Sequence, residues 1–129
     1  SQDWLYAMIE KRLGIPLQNC VNEYGMSEMT SQFYDGTVGK GGRRVYQAPP
    51  QVQTRVLAPM TLAPAPKGKT GLLAHLDLAN IDTVAAILTE DLGQEVDGGF
   101  TLAGRASGAD LKGCSLLLDD LLQRNGEKR

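Results

Sequence analysis

The sequence is poor in aromatic residues, cysteine and histidine, and each shortage excludes a class of protein. Aromatic side chains make up 5% of the 129 residues, so we expect the core, for which a hydrophobic content of 42% suffices, to be mostly aliphatic. Two cysteines, Cys20 and Cys114, are too few for a disulfide framework. With His75 as the single histidine, a zinc site is not expected either.

Excess positive charge and long apolar runs are absent as well. The formal net charge is -2, whereas binding to the phosphate backbone of a nucleic acid requires an excess of Lys and Arg. We therefore expect no nucleic-acid partner. No apolar run approaches the roughly 20 residues of a membrane-spanning helix, and no signal peptide opens the chain. We therefore expect a soluble protein of the cytoplasm. Because the sequence does not begin with Met, we expect a fragment of a longer protein.

The hydrophobic pattern at the start of the chain predicts one helix. Asp3 is a candidate N-cap, and Gly14 and Pro16 supply a stop signal, which together predict a helix over residues 3–13. The segment Leu17–Val21 reads as a short buried strand, with Cys20 in the core. Apolar residues at helical spacing form one stripe on this helix: Trp4, Leu5, Met8, Ile9 and Leu13. The stripe could be an association surface, so a homo-oligomer is one possible state of the protein.

The rest of the chain has the pattern of a small sheet. Prolines flank Gln51–Leu57, whose alternation predicts an edge strand. In the next predicted strand His75 and Asp77 share one face, and the other face carries an apolar row, Leu72, Ala74, Leu76 and Leu78. The segment Asp97-Gly98-Gly99 predicts a hairpin. We expect an α+β fold: a mostly antiparallel, barrel-like sheet with an N-terminal helix and a short C-terminal helical segment after Ser115.

Three separated segments resemble motifs of the adenylate-forming superfamily of acyl-CoA synthetases and related ligases. Tyr24-Gly25-Met26-Ser27-Glu28 is similar to the motif Tyr-Gly-x-Ser/Thr-Glu, and Thr89-Glu90-Asp91-Leu92-Gly93 is similar to the motif Thr-Gly-Asp. Gly104-Arg105, followed by Asp110 and Lys112, is similar to the hinge motif. Each motif alone is weak, but the three occur in the family's order.

Within that superfamily, the chain resembles the acyl-protein synthetase (LuxE-type) family, which activates long-chain fatty acids for bacterial luminescence and related pathways. The resemblance rests on Asn22–Met29, Ser31–Asp35 and Gly104–Cys114, and corresponds to the C-terminal portion of such an enzyme. It implies ATP and Mg²⁺ as cofactors and a fatty acid as substrate. It also implies subunits of a fatty acid reductase complex as partners.

The resemblance assigns roles at a nucleotide site. Glu28 would hold Mg²⁺, a hard cation that prefers oxygen ligands, and Ser27 would donate its hydroxyl to the α-phosphate. Tyr24 would lie along the adenine. Asp91 would lie at the end of a strand and accept the ribose hydroxyls, and Arg105 would reach ribose or phosphate. From the residue types alone, the first motif is as typical of a solvated turn with a buried Tyr. Asp91 is more often a strand-end or turn aspartate, and Arg105 could equally form a surface salt bridge.

The resemblance makes Cys114 the acceptor of the activated acyl group. A nearby cation, Lys112, and a following helix would favour its thiolate, whereas a small buried hydrophobic side chain is the alternative. We divide the chain into residues 1–104, with the nucleotide-site motifs, and residues 105–129, the hinge and a truncated C-terminal segment. A His75–Asp77 dyad is disfavoured, because no nucleophile is placed beside it.

Two other functions stay open at this point. One is a phenylacetate-type aryl- or acyl-CoA ligase, in which CoA takes the acyl group, and the other is a non-catalytic interaction module. The sequence also departs from the superfamily pattern, because Ser107-Gly108 stands where the hinge usually has paired acids. The phosphate loop would precede Ser1, and the catalytic lysine cannot be assigned.

Overall fold

The structure, a computed structural model, describes residues 2–36 and 44–106. In chain order it has helix α1 (Gln2–Leu13), a 3-10 helix (Leu17–Asn19) and strands β1 (Glu23–Tyr24), β2 (Phe33–Tyr34), β3 (Val52–Leu57), β4 (Thr70–Asp77), β5 (Ala86–Val96) and β6 (Gly99–Arg105). Strands β1 and β2 form one antiparallel pair, and the other four form an antiparallel sheet in the order β3-β4-β5-β6. The α+β prediction is confirmed. The predicted C-terminal helical segment and Cys114 lie outside the described residues.

Helix α1 confirms the predicted helix but begins one residue earlier than expected. Asp3 therefore lies in the first turn and is not the N-cap. Its negative charge there interacts favourably with the positive end of the helix dipole. Gly14 follows the helix with a φ of +66°, and its N–H donates to the Glu10 carbonyl at 2.9 Å. A left-handed glycine is a common way to end a helix. Among the described residues, no helix is long and apolar enough to cross a bilayer.

The strand predicted over Leu17–Val21 is wrong. Pro16, in an extended conformation, precedes a 3-10 helix over Leu17–Asn19, which is closed by local bonds such as the one from the Cys20 N–H to the Leu17 carbonyl at 3.0 Å. Leu17 and Val21 are exposed, so the apolar residues of this segment do not mark a buried strand. Cys20 is only partly buried and is not a core residue.

Arg44 connects α1 to the chain that follows the 3-10 helix. Its guanidinium lies 4.4 Å from the centre of the Tyr6 ring and forms an ion pair with the buried Asp35. It also donates to the Cys20 carbonyl at 3.4 Å. Residues 37–43, between Asp35 and Arg44 in the chain, lie outside the described part.

The core is more aromatic than the composition predicts. Four of the seven aromatic residues in the chain are buried together, so the expectation of a mostly aliphatic core is wrong for the described residues. Their ring centres lie 5.2 to 5.9 Å apart, the usual spacing of tilted and edge-to-face pairs. Three aliphatic side chains from β3 and β4, together with Met29, complete this cluster. The aromatic residues are Tyr24, Phe33, Tyr46 and Phe100, and the aliphatic ones are Val52, Val56 and Leu73.

Strand β4 shows the predicted alternation, and its polar face is the buried one. His75 is 2% exposed and Asp77 is fully buried, on the same face as Leu73. Leu76, in the apolar row, is 38% exposed, and Leu78, just beyond the strand, is 65% exposed. The polar face is buried because it packs against the aromatic cluster and against the segment between β1 and β2.

Strand β5 is irregular at the second motif. Leu72 of β4 pairs with Leu92, and Ala74 pairs with Leu88, so that residues 89–91 lie opposite Leu73 alone. The strand continues beyond this bulge to Val96, so the prediction that Asp91 ends a strand is wrong. The predicted hairpin is confirmed: Val96 pairs with Gly99, and Gly98 has a φ of +83°.

Gly93, directly after the bulge, leaves no room for a side chain. A Cβ atom there would lie 2.7 Å from the Leu73 Cδ2 and 2.7 Å from the Thr101 carbonyl oxygen. We expect Gly93→Ala to lower the free energy of unfolding by about 1–3 kcal/mol, because the crowded backbone oxygen cannot move away cheaply. Urea denaturation measures the change. Gly25→Ala is the control, since its Cβ would have contacts no closer than 3.6 Å; equal stability of the two variants would contradict the prediction.

Candidate functional site

Three of the predicted nucleotide-site residues meet at the Asp91 carboxylate. The Tyr24 hydroxyl donates to Oδ2 at 2.8 Å, and the Arg105 Nε–H donates to Oδ1 at 3.0 Å. Tyr24 lies 67 residues before Asp91, so the fold joins the first motif to the second and third. The Asp91 and Arg105 side chains are 19% and 31% exposed. Each carboxylate oxygen has a further lone pair, so that Asp91 can accept bonds from a ligand as well.

The bulge in β5 orients Asp91. Thr89 is buried there, and its hydroxyl donates to the Leu73 carbonyl at 2.8 Å. The same hydroxyl accepts the Asp91 N–H at 3.1 Å. The Thr89 side chain therefore replaces part of the hydrogen-bond ladder that the bulge interrupts. Bulges of this kind often redirect a side chain at a site.

Tyr24 supports Asp91 from inside the core. The residue is 9% exposed, and its ring lies 5.6 to 5.9 Å from four neighbouring rings, which belong to Phe33, Tyr46, His75 and Phe100. Burial, followed by the hydrogen bond to Asp91 and the charge of that carboxylate, raises the pKa of Tyr24 above its ordinary value. The phenol therefore keeps its proton and remains a donor to Asp91.

Ser27 and Glu28 lie in the segment between β1 and β2, and both are exposed. The Ser27 hydroxyl donates to the Glu28 Oε2 at 3.1 Å. Glu28 thus presents its carboxylate to solvent. Within residues 2–36 and 44–106, no group of three or more His, Cys, Asp or Glu side chains is gathered as a metal site.

Asp77 and Asn80 have roles that the sequence does not predict. Asp77 accepts the N–H and the hydroxyl of Ser31 at 2.8 and 2.9 Å, and Asn80 accepts the Thr30 N–H at 2.7 Å. Burial acts to raise the pKa of Asp77, but the backbone bonds from Ser31 and Ala79 and the Ser31 hydroxyl outweigh it, and the pKa lies below its ordinary value. The pair of side-chain acceptors at and just after the end of β4 signals only the local bond, from the Ala79 N–H to Asp77, and not the bonds to Thr30 and Ser31.

His75 does not form a dyad with Asp77. Its Nδ1 lies 2.9 Å from the Thr54 hydroxyl, whereas Asp77 is bonded to the Ser31 segment. The buried Nε2 has no hydrogen-bond partner among the described residues. The ring lies 4.8 Å from the Phe33 ring, within the aromatic cluster. His75 is thus a core residue and not part of a nucleophilic arrangement.

The family to which the chain belongs is shown by its match to a protein-family model. A model described as "Acyl-protein synthetase, LuxE" matches residues 4–123. The chain belongs to the LuxE family. A long-chain-fatty-acid–luciferin-component ligase of Vibrio harveyi is 31% identical to this LuxE chain over 100 residues, 72% of the chain and 25% of that ligase. A ligase of the same name from Aliivibrio fischeri is 35% identical over 86 residues, 60% of the chain and 23% of that ligase.

The LuxE chain spans about a quarter of the length of the curated relatives it matches. Among solved structures, apo MatB from Rhodopseudomonas palustris matches with a TM-score of 0.57 and 20% identity, over 79% of this chain and 23% of MatB. ATP-bound MatB from the same organism matches with a TM-score of 0.54 and 21% identity, over 78% of this chain and 22% of MatB. These likenesses show a shared fold.

The buried His75 predicts a pH dependence of stability for the LuxE chain. Burial lowers the pKa of His75 from 6.5 to about 4, against the opposing effect of the Asp91 charge. The unfolded chain therefore binds a proton near pH 6.5 that the folded chain does not bind until about pH 4. Above pH 6.5 His75 is neutral in both states and does not lower the free energy of unfolding. As the pH falls from 6.5 to 4, we expect protonation of His75 in the unfolded chain to lower the free energy of unfolding by about 3 kcal/mol.

Two measurements test this expectation. Because His75 is the only histidine, its NMR titration is unambiguous. Urea denaturation at pH 7 and pH 5 gives the stability change, and His75→Phe, which removes the titrating group, is the control. A titration midpoint near 6.5 in the folded protein would contradict the prediction.

Proposed function

We propose that the protein to which this chain belongs is an ATP-dependent acyl-protein synthetase. It activates a long-chain fatty acid as an acyl-adenylate, transfers the acyl group to the Cys114 thiol and delivers it to a reductase partner. The observation that carries the proposal is the bonding of Tyr24 and Arg105 to Asp91 in a chain of the LuxE family. The names of the curated relatives support the choice of substrate.

The Asp91 cluster would bind the nucleotide. Its carboxylate oxygens, each with one bond from the protein, would accept the two ribose hydroxyls. Arg105, partly exposed beside Asp91, would add a cationic donor toward ribose or phosphate. Tyr24, buried behind the adenine side of the site, would hold Asp91 in place through its hydroxyl. Because the cluster is assembled before ATP arrives, little ordering is required on binding.

Glu28 and Ser27 would act at the phosphates. The exposed Glu28 carboxylate fits Mg²⁺, since this cation prefers hard oxygen ligands and commonly takes one or two carboxylates with phosphate oxygens. The ion, when bound, would neutralise negative charge on the phosphoryl oxygens. Ser27 would turn its hydroxyl from Glu28 to the α-phosphate, as an exposed hydroxyl can do without unpacking the core.

The reaction would run in two displacements. A fatty acid carboxylate oxygen attacks the α-phosphorus, and pyrophosphate leaves as the acyl-adenylate forms. The Cys114 sulfur, after losing its proton to solvent, then attacks the acyl carbonyl carbon. The C–O bond to AMP breaks and a thioester remains.

We expect Asp91→Ala to weaken ATP binding by about 2–4 kcal/mol, because two charge-assisted hydrogen bonds to ribose are lost. Calorimetric titration of the full-length enzyme with ATP measures the change. Asp97→Ala is the matched control, since Asp97 lies in the exposed β5–β6 turn. Tyr24→Phe, which keeps the ring and removes only the hydroxyl, should weaken binding by less. An unchanged Kd for Asp91→Ala would remove Asp91 from the site.

We expect Cys114→Ser to abolish covalent labelling of the enzyme by radioactive fatty acid and ATP, while ATP–pyrophosphate exchange continues. Cys20→Ser is the control, because Cys20 is the other cysteine of the chain and its thiol lies against the Pro16 carbonyl at 3.7 Å. Labelling that persists in Cys114→Ser would refute the role of this thiol. If CoA instead receives the acyl group, the enzyme is an acyl-CoA ligase, and a full-length protein without exchange activity is a non-catalytic module.

A further inference from the structure

We propose that Asn80 is a positioning residue that holds the Ser27–Glu28 segment in register with the nucleotide cluster at Asp91. The inference rests on the proposed function and assigns a role to a residue outside the three motifs. Asn80 follows β4, whereas Ser27 and Glu28 precede β2. The bonds from Asn80 to this segment are made by its side-chain amide and go to backbone groups, so its effect on the phosphates would be indirect.

The Asn80 side chain is buried, with 5% of the residue exposed, and both ends of its amide are used. Its Oδ1 accepts the Thr30 N–H at 2.7 Å. Its Nδ2 donates to the Glu28 carbonyl at 2.8 Å and to the Val84 carbonyl at 3.3 Å. One amide therefore fixes the backbone on both sides of Met29 and ties it to the chain that enters β5.

Asp77 holds the next residue of the same segment. Its carboxylate accepts the Ser31 N–H and hydroxyl, and also the Ala79 N–H at 3.0 Å, which fixes the turn that carries Asn80. The Gln51 amide donates to the Ser31 hydroxyl at 2.9 Å. Residues 28–31 are thus attached to the end of β4 by bonds to buried side chains.

Strand β4 transmits this attachment to the nucleotide cluster. Its Leu73 carbonyl accepts the Thr89 hydroxyl, which in turn accepts the Asp91 N–H. Strand β4 and the turn that follows it therefore carry both the anchor of the Glu28 backbone and the anchor of Asp91. This matters because the Ser27 and Glu28 side chains are exposed, and the Ser27 hydroxyl bonds to the neighbouring Glu28 carboxylate and not to the core. Their position depends on the backbone that Asn80 holds.

The geometry requires an amide at position 80. Asparagine accepts from one N–H and donates to two carbonyls, whereas an ionised aspartate of the same size has no donor. Asn80→Asp would keep the acceptor for Thr30 but place a carboxylate oxygen against the carbonyls of Glu28 and Val84. Asn80→Ala would remove all three bonds. The two variants therefore disturb the segment in different ways without changing Glu28 itself.

The test is a double-mutant cycle in the full-length enzyme, with ATP–pyrophosphate exchange measured over a range of Mg²⁺ concentrations. We expect Asn80→Ala to lower kcat by about tenfold to a hundredfold, since a misplacement of about 1 Å has effects of this size. Asn80→Asp should lower kcat too. The Mg²⁺ concentration for half-maximal rate should rise, and the KM for ATP at saturating Mg²⁺ should change by less than about threefold, because Asp91 is untouched.

Glu28→Gln completes the cycle. If Asn80 acts through Glu28, Glu28→Gln combined with Asn80→Ala should be no more than about threefold slower than Glu28→Gln alone, since coupled residues are non-additive. Val56→Ala is the control for a general loss of stability, because Val56 is buried in β3 and its apolar side chain forms no hydrogen bond with the segment. Urea denaturation of each variant confirms that the assays are made on folded protein.

The outcomes separate the inference from the proposed function. Multiplying effects of the two substitutions, or a kcat for both Asn80 variants equal to that of the unaltered enzyme, would overturn the inference and leave the proposed function standing. If Glu28→Gln leaves the rate and its Mg²⁺ dependence unchanged, the inference also fails, because Asn80 would have no phosphate ligand to position. An unaltered enzyme without any exchange would overturn the proposed function, and the inference with it.

Discussion

The hydrogen bond between the Tyr24 hydroxyl and the Asp91 carboxylate is the interaction on which the arrangement of the site depends. A phenol inside an aromatic cluster requires an acceptor, and a partly buried carboxylate requires donors. Each group meets the need of the other, and Arg105 provides the second donor. The bond therefore joins strand β1 to strand β5 of the four-stranded sheet, and places side chains from both at one point.

The bulge in β5 shows how an irregular strand creates the position that Asp91 occupies. A regular ladder would pair Leu73 with one residue of β5, but here it faces residues 89–91. The strand tolerates this because the Thr89 hydroxyl takes over one carbonyl and one N–H of the interrupted ladder. A bulge stabilised by a side chain holds its direction, so Asp91 is preorganised for a ligand.

The sheet buries its polar face. His75 and Asp77 pack inward, against the aromatic cluster and the Ser31 segment, while the apolar Leu76 and Leu78 are exposed. The segment between β1 and β2 has little sheet of its own, because each of these strands has two residues. Its backbone groups are satisfied instead by the side chains of Asp77 and Asn80, which explains why these polar residues are buried.

The sequence by itself determined the features that depend on neighbouring residues. Helix α1, the hairpin at Gly98 and the edge strand β3 were all predicted, because spacing, turn chemistry and proline act over a few positions. The motif residues Tyr24, Asp91 and Arg105 could also be selected, since residue type and order along the chain carry that resemblance.

Only the tertiary structure decided which face of β4 is buried, that residues 17–19 form a 3-10 helix, and that Asp91 lies inside a bulged strand. It also decided the partners of Asp77 and Asn80, which lie about 50 residues from the segment they hold. Each of these features depends on contacts between distant parts of the chain. Apolar residues such as Leu17 and Leu76 look alike in a sequence whether they are buried or exposed, because burial is a property of what packs against them.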